Sequence, residues 1–533
     1  MSPLSSRPPL SRRHLLQGFA AVATSSVLSG CGSSLYRTLA APATKPLSVP
    51  RPSPTLPVAT APPTAPTPPP PVPATQPIPS GPLTPASLTV SASTFGTFSQ
   101  GFVGLSYEKQ SLSTPLFTAA NTDLIGLFKR LGSGVLHIGG DSVDRTVWTP
   151  DGTGQTSAQT SAQIAPADVN GLAAFLQATG WTCIYGINLG GSATGATTPT
   201  LAAAEVSYVA EQLGTALVGI ELGNECETYG NPGSFYPCNW TVQSFESLWM
   251  QYRDSILEAT PGAPLTGPAS ASNVDGWAIP FGEYVTRDSL HLLTHHYDRG
   301  SGSSATAEDL LSPDTALASQ LLQLKYGAES IDVPFRIDQC SAYSGGGIAG
   351  ISDTFASSLW AIDMIFNCAL GGATGINFQS GSQVASTPIA DNHGQVLSPH
   401  PLFYGLLLAS MAGQGTLLST QLSAASLNVT SYAISTADGG LSLLLVNKDA
   451  TQNLDLSITL PAAMTSASLQ ALTQLSSGAT SPSLTALSGI TLQGATVAAD
   501  GTFNPSAAYA LNLTGQQLTC YVPALSAVLI HLT

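Results

Sequence analysis

Eight short apolar runs recur between residues 101 and 378, each separated from the next by enough chain for a helix. They lie at 101–108, 135–139, 182–188, 218–224, 264–267, 289–296, 335–338 and 375–378. The segments between them carry helical spacing, as in Leu124, Ile125, Leu127, Phe128 and Leu131, in Val169, Leu172, Phe175 and Leu176, and in Phe355, Leu359, Ile362, Ile365 and Phe366. Eight strand–helix alternations predict an α/β fold, a closed parallel (β/α)8 TIM barrel over 98–404. An open doubly wound sheet would carry a glycine-rich phosphate loop after its first strand, and none is present. Past Tyr404 the period changes. Alternating stretches at 427–433, 441–446, 454–460 and 527–532, separated by Gly, Asn, Asp and Ser, predict a C-terminal antiparallel β-sandwich over 405–533. Residues 86–97 read as one further strand of that sandwich, supplied from before the barrel.

The chain begins as an address. Ser11-Arg12-Arg13-His14-Leu15-Leu16 reads as a twin-arginine export signal, followed by an apolar stretch, 18–27, too short to span a bilayer. Leu28-Ser29-Gly30-Cys31 reads as a lipobox, with Cys31 lipidated; the alternative is an ordinary signal peptide with an incidental Cys. The expectation is a lipoprotein signal over 1–31, giving a periplasmic or cell-surface protein that meets the membrane only through its lipid. Residues 32–85, rich in Pro, Ala and Thr, then form an extended linker without the apolar content for a core.

Charged residues make up only 9% of the chain, and the net charge is −15. Six of the 16 basic residues precede residue 52 whereas no acid precedes Glu108, so the remainder is far more acidic than the total suggests. A surface of that sign excludes nucleic acid as a partner. The expected state is a monomer. Six cysteines follow Cys31 at spacings that fit no zinc site, and neither metal nor cofactor is expected. Cys226 and Cys340 each follow a candidate site residue and could face each other across the barrel mouth.

The candidate chemistry is carbohydrate chemistry. Asn224-Glu225 closes the run Leu217-Val218-Gly219-Ile220-Glu221-Leu222-Gly223, and a carboxyl at the end of a buried barrel strand suits proton transfer to a glycosidic oxygen. Glu221, inside the strand, reads as a buried polar contact, and Glu227 as facing the loop. A retaining glycosidase needs a second carboxylate at the end of a later strand, where Phe335-Arg336-Ile337-Asp338 is followed by Gln339. Period-2 alternation would turn Asp338 away from the barrel axis. Asp141 and Asp144 are open between sugar contact and helix capping. Trp148, Trp240, Trp277 and Tyr343 are candidate stacking surfaces for sugar rings, or simple packing.

Gly104-Leu105-Ser106-Tyr107-Glu108, Ile138-Gly139-Gly140-Asp141-Ser142-Val143-Asp144, Glu221-Leu222-Gly223-Asn224-Glu225, His295-His296-Tyr297 and Ser352-Asp353 occur in an order that resembles glycoside hydrolase family 79, the β-glucuronidases and heparanases. The resemblance spans about 86–533. It implies a TIM barrel followed by a β-sandwich, with Glu225 as acid/base and Asn224, Asp141, His296, Tyr297, Tyr343 and Glu108 about the glycan. Tyr297 could hydrogen-bond Gln339. The family's Arg-x-x-Glu-x-Asn-Ser segment maps onto Arg336-Ile337-Asp338-Gln339-Cys340-Ser341-Ala342, so Gln339 stands at the nucleophile and Ser341 at the following Asn. His137 stands where the family has Arg, and 385–388 lacks the tyrosine that grips a uronate; His137 or Lys109 could take over that grip. The expected function is a glycosidase acting on β-linked glycans, most like a retaining β-glucuronidase. The alternative is a carbohydrate-binding protein that has lost catalysis.

Overall fold

The computed structural model describes residues 74–152, 162–302, 305–381, 384–392 and 394–533. The twin-arginine motif, Cys31 and most of the linker lie outside them. The eight apolar runs are eight strands, which we label after the first described strand, β1 (Leu83–Phe98). They are β2 (Val103–Glu108), β3 (Val135–Gly139), β4 (Thr182–Ile187), β5 (Leu217–Leu222), β6 (Leu265–Ser270), β7 (Leu292–Asp298), β8 (Phe335–Ser341) and β9 (Ile376–Ser380). All eight pair in parallel and close into one barrel in chain order, with β9 beside β2. A helix follows each: α1 (Thr122–Leu131), α2 (Pro166–Thr179), α3 (Pro199–Leu213), α4 (Val242–Ala259), α5 (Ala278–Val285), α6 (Thr315–Ser330), α7 (Phe355–Leu370) and α8 (Pro401–Met411). The last helix therefore carries the barrel past residue 404, where the sequence texture changes.

The strands read as continuous apolar runs because helices cover one face and the barrel interior buries the other; β3 and β6 are buried at every position. The helices dock through one stripe. In α1, Leu124, Leu127, Phe128 and Leu131 are buried, and the Phe128 ring meets Phe175 of α2 edge-on at 5.0 Å. Asn121 caps α1 by accepting the Leu124 N–H.

The C-terminal strands, among them β10 (Gly415–Ser423), β11 (Val429–Thr436), β12 (Leu441–Asn447) and β13 (Asn453–Thr459), form one mixed sheet. Among the described strands its one mixed element is β1, antiparallel to β10 on one side and parallel to β13 on the other. Leu443 and Leu445 of β12 enter a core with Ile530 of the strand paired to β12 and with Leu88, Leu456 and Leu518 from strands farther along the sheet, so the sheet folds over onto itself. Leu444 and Val446, on the opposite face, join the barrel's core. Lys448, Thr430 and Tyr432 all bond Asp363 of α7, which ties sheet to barrel.

Candidate active site

Strand ends converge at one mouth, and β5 delivers Gly223-Asn224-Glu225 there. Gly223 has φ +84°, and a Cβ on it would stand 2.4 Å from the Tyr229 hydroxyl oxygen. That hydroxyl donates to Asp144, whose carboxylate also accepts the N–H groups of Leu189, Gly190 and Asn224. Asp144 is thus a buried anchor with four donors, which decides its role as scaffold. Glu225 adopts φ 44°, ψ 51°, a left-handed conformation that costs a non-glycine residue about 1 kcal/mol or more and recurs at functional sites. Its N–H donates to the Ala269 carbonyl at 2.9 Å, and its side chain is 27% exposed. Asn224 donates through Nδ2 to Asp141 at 3.3 Å, whereas its Oδ1 is buried without a partner. Glu108 accepts the Asp141 and Ser142 N–H groups, and a Cβ on Gly140 (φ +74°) would strike it at 2.4 Å. Glu108 thus positions the loop that carries Asp141. Glu227, facing its loop, accepts the Ala271 and Ser272 N–H groups.

His296 joins the mouth to the interior. Its Nδ1 is 3.2 Å from Glu225 Oε1 and its Nε2 is 3.8 Å from Asp338 Oδ1. Burial alone would lower its pKa. The hydrogen bond to Glu225 and the charges of Asp338, Glu225 and Glu221 outweigh burial and push it up to about 10. Burial likewise raises the Glu225 carboxyl, but the bond and charge of His296 prevail and hold it below its ordinary value. Glu225 is therefore a carboxylate beside an imidazolium, the state that suits the base half of an acid/base role. Burial and the His296 charge send neighbouring His295 the other way, down to about 3.

One residue missed in the sequence shares this mouth. Asp298 lies two positions beyond His296 on β7, hence on the same strand face, and is open to solvent. Partial burial and the Glu225 charge lift its carboxyl to about 6, opposed by His296 and helped by Asp141. The same causes, burial first and then Glu225, raise Asp141. The signal was available: the i, i+2 rule places Asp298 with His296, but the predicted strand ended at 296.

Below the mouth the interior is shut from water. Ser106 Oγ lies 2.8 Å from His137 Nδ1 and 3.3 Å from Gln339 Oε1. His137 Nε2 is 2.8 Å from Glu221 Oε2, and Thr294 donates to Glu221 Oε1 at 2.6 Å. Asp338 joins this cluster, contrary to the expectation from alternation. In the pairing of β8 with β7, Ile337 faces His295 and Gln339 faces His296, so Asp338 sits in a bulge that resets the alternation. Burial, with the Glu221 charge added, holds Asp338 well above the usual carboxylate range. Glu221 is held low, because His137 outweighs burial there. The two acids therefore carry one charge and share one proton. Ligand atoms of His137, Glu221 and Asp338 lie within 4.8 Å of one another, close enough for a cation; His137 and Thr294 bond Glu221, whereas both Asp338 oxygens are buried without a hydrogen-bond partner.

Other expected positions are engaged elsewhere. Tyr297 donates to Asp314 at 2.7 Å rather than to Gln339, because it occupies the outward face between His296 and Asp298. Tyr343 is buried against Gly300, its hydroxyl 3.5 Å from the Thr306 carbonyl. Lys109 is buried in a 2.7 Å pair with Glu205, under the Tyr185 ring, and does not reach for a uronate. Ser341 and Ser386 bond each other at 2.9 Å. Cys226 packs on the Pro268 carbonyl, and all six described cysteines are free thiols. Trp240 stacks on Tyr236 at 4.2 Å and donates to the Cys226 carbonyl beside Glu225.

No protein-family model matches the sequence, and no curated protein matches it. Solved structures do match the fold. A 4-O-α-L-rhamnosyl-β-D-glucuronidase from Fusarium oxysporum aligns over 83% of this chain and 99% of its own, with TM-score 0.67 at 18% identity. A GH51 arabinofuranosidase from Xanthomonas axonopodis pv. citri covers 84% and 100%, with TM-score 0.61 at 15% identity. A family 44 xyloglucanase from Paenibacillus polymyxa covers 84% and 99%, with TM-score 0.57 at 12% identity. The fold is that of TIM-barrel glycosidases with a C-terminal β domain.

Proposed function

We propose that the protein is a glycoside hydrolase whose barrel mouth takes a β-linked glycan, most similar in its motifs to a β-glucuronidase, with Glu225 reacting there. The observation that carries this reading is the presentation of Glu225. A left-handed backbone, a fixed Asn224 and a charged His296 aim one partly exposed carboxylate into the convergence of eight strands. The buried, unpartnered Oδ1 of Asn224 leaves an acceptor for a sugar hydroxyl. Such investment in a single side chain serves proton transfer at a bound sugar.

Gln339 closes the usual covalent route, because an amide does not form the glycosyl ester. It also removes the like charge that would raise Glu225 towards the pKa of an acid. These two facts favour a second reading, in which the mouth binds glycan without cleaving it. Hydrolysis of nitrophenyl β-glucuronide and β-glucoside, with calorimetric binding of the parent sugars, separates the two. Turnover abolished by Glu225→Gln with binding retained supports the hydrolase; binding without turnover supports the second reading. As part of the proposal, the twin-arginine signal exports the chain and Cys31 anchors it. Release of Cys31→Ser from the membrane fraction is the check.

A further inference from the structure

The mouth holds a second carboxyl that the sequence motifs do not assign. Asp298 closes β7, two residues beyond His296, and His296 reaches across the barrel to within 3.2 Å of Glu225. Side chains two apart on a strand share a face and are separated by about 6.6 Å along it, so Asp298 shares the His296 face at the exposed end of β7. Strands β5 and β7 are separated only by β6, and Glu225 and Asp141 are near enough for their charges to act on the Asp298 carboxyl. In the register of β8 on β7, Asp298 faces Ser341, with Gln339 two residues earlier beside His296. The carboxyl absent at 339 is therefore present one strand away.

We propose that Asp298 is the second catalytic carboxyl of this mouth and works with Glu225 by single displacement. The inference rests on the hydrolase reading above. Glu225, held ionised by His296, takes a proton from water as the water oxygen bonds to the anomeric carbon. The bond from that carbon to the leaving oxygen breaks, its electron pair stays on the oxygen, and Asp298 donates its proton there. The net change is addition of one water, and both carboxyls reset through solvent. A β-glycoside yields the α-anomer first. The groups facing Asp298 are Glu225 after β5, His296 from β7 and Asp141 from the loop after β3; burial first, then the Glu225 and Asp141 charges against that of His296, keeps Asp298 protonated in mildly acidic medium.

The test compares wild type, Asp298→Asn and Glu225→Gln on nitrophenyl and methyl β-glucuronide and β-glucoside. Proton NMR follows the first anomer released. For Asp298→Asn the expected result is a 10²- to 10⁴-fold fall in kcat on the methyl glycosides. The fall is smaller on the nitrophenyl glycosides, whose leaving group needs no proton, and the alkaline limb near pH 6 disappears. A structural role for Asp298 would depress all substrates alike. Retention of configuration, or an Asp298→Asn profile unchanged while Glu225→Gln is inactive, overturns this inference alone. A wild type inactive on every substrate overturns it together with the hydrolase reading.

Discussion

Glu221 and Glu225 lie four residues apart at the end of one strand, yet they meet different physical worlds. Glu221 is sealed among His137, Thr294 and the protonated Asp338, with no route to water. Glu225 has one neighbour of comparable strength, His296, and keeps about a quarter of its side chain exposed. In the lower cluster Glu221 has a hydrogen-bond partner on each oxygen, although both Asp338 oxygens are buried without one; the upper cluster has an unpartnered Asn224 oxygen and solvent-facing acids at 141 and 298. A carboxylate with all its partners inside the protein stabilises a fold, whereas one with capacity to spare is available for chemistry.

Exchanging the effects of the two tiers breaks this comparison most directly. Glu225→Gln should lower hydrolysis by about 10²- to 10⁴-fold and cost less stability than a break in the lower tier, because the amide oxygen can still accept from the buried His296. His137→Ala should do the reverse, costing about 3–5 kcal/mol because it strands the buried Glu221 charge, with the remaining folded protein still able to bind glycan. If the two variants lose stability equally, the tiers are not distinct.

His296 sits between the tiers and sharpens their boundary. Its pKa rises from 6.5 to about 10 in the folded protein, so the stability it supplies is full below pH 6.5 and is lost as pH climbs through about 10. The stability gap between wild type and His296→Gln should therefore shrink between pH 7 and 10. In the same variant Glu225 loses its main charge partner, and the acid limb of the pH–rate profile should move upward. The smallest effect is expected at Ser341→Ala, which removes one hydroxyl pair with Ser386 at the rim. About 1 kcal/mol of stability is the ceiling, read from the unfolding midpoint.

The barrel was legible because parallel strands buried on both faces write themselves as uniform apolar runs, and all eight lie where those runs do. Asn224-Glu225 was legible for the same reason, as the first polar pair after such a run. Asp338 was not, because its placement depends on a bulge, and a period-2 reading assumes an unbroken ladder. Asp298 was lost to a strand end set two residues short. Lys109 was misjudged because its partner, Glu205, lies 96 residues away on α3, and no local pattern announces a buried ion pair.

The two edges of β1 also carry a consequence for synthesis. Thr84 bonds Gln452 across 368 residues, and the whole of β1 finds its neighbours only in β10 and β13. At about 5–20 residues per second, a ribosome would hold that strand unpartnered for roughly 20–70 s. The barrel can assemble behind it in chain order, since each of its strands pairs with the next, but the C-terminal sheet closes only when the last quarter of the chain emerges. Truncation from the carboxyl end should therefore damage the beginning of the folded region as well as its end, exposing an apolar strand edge that invites aggregation.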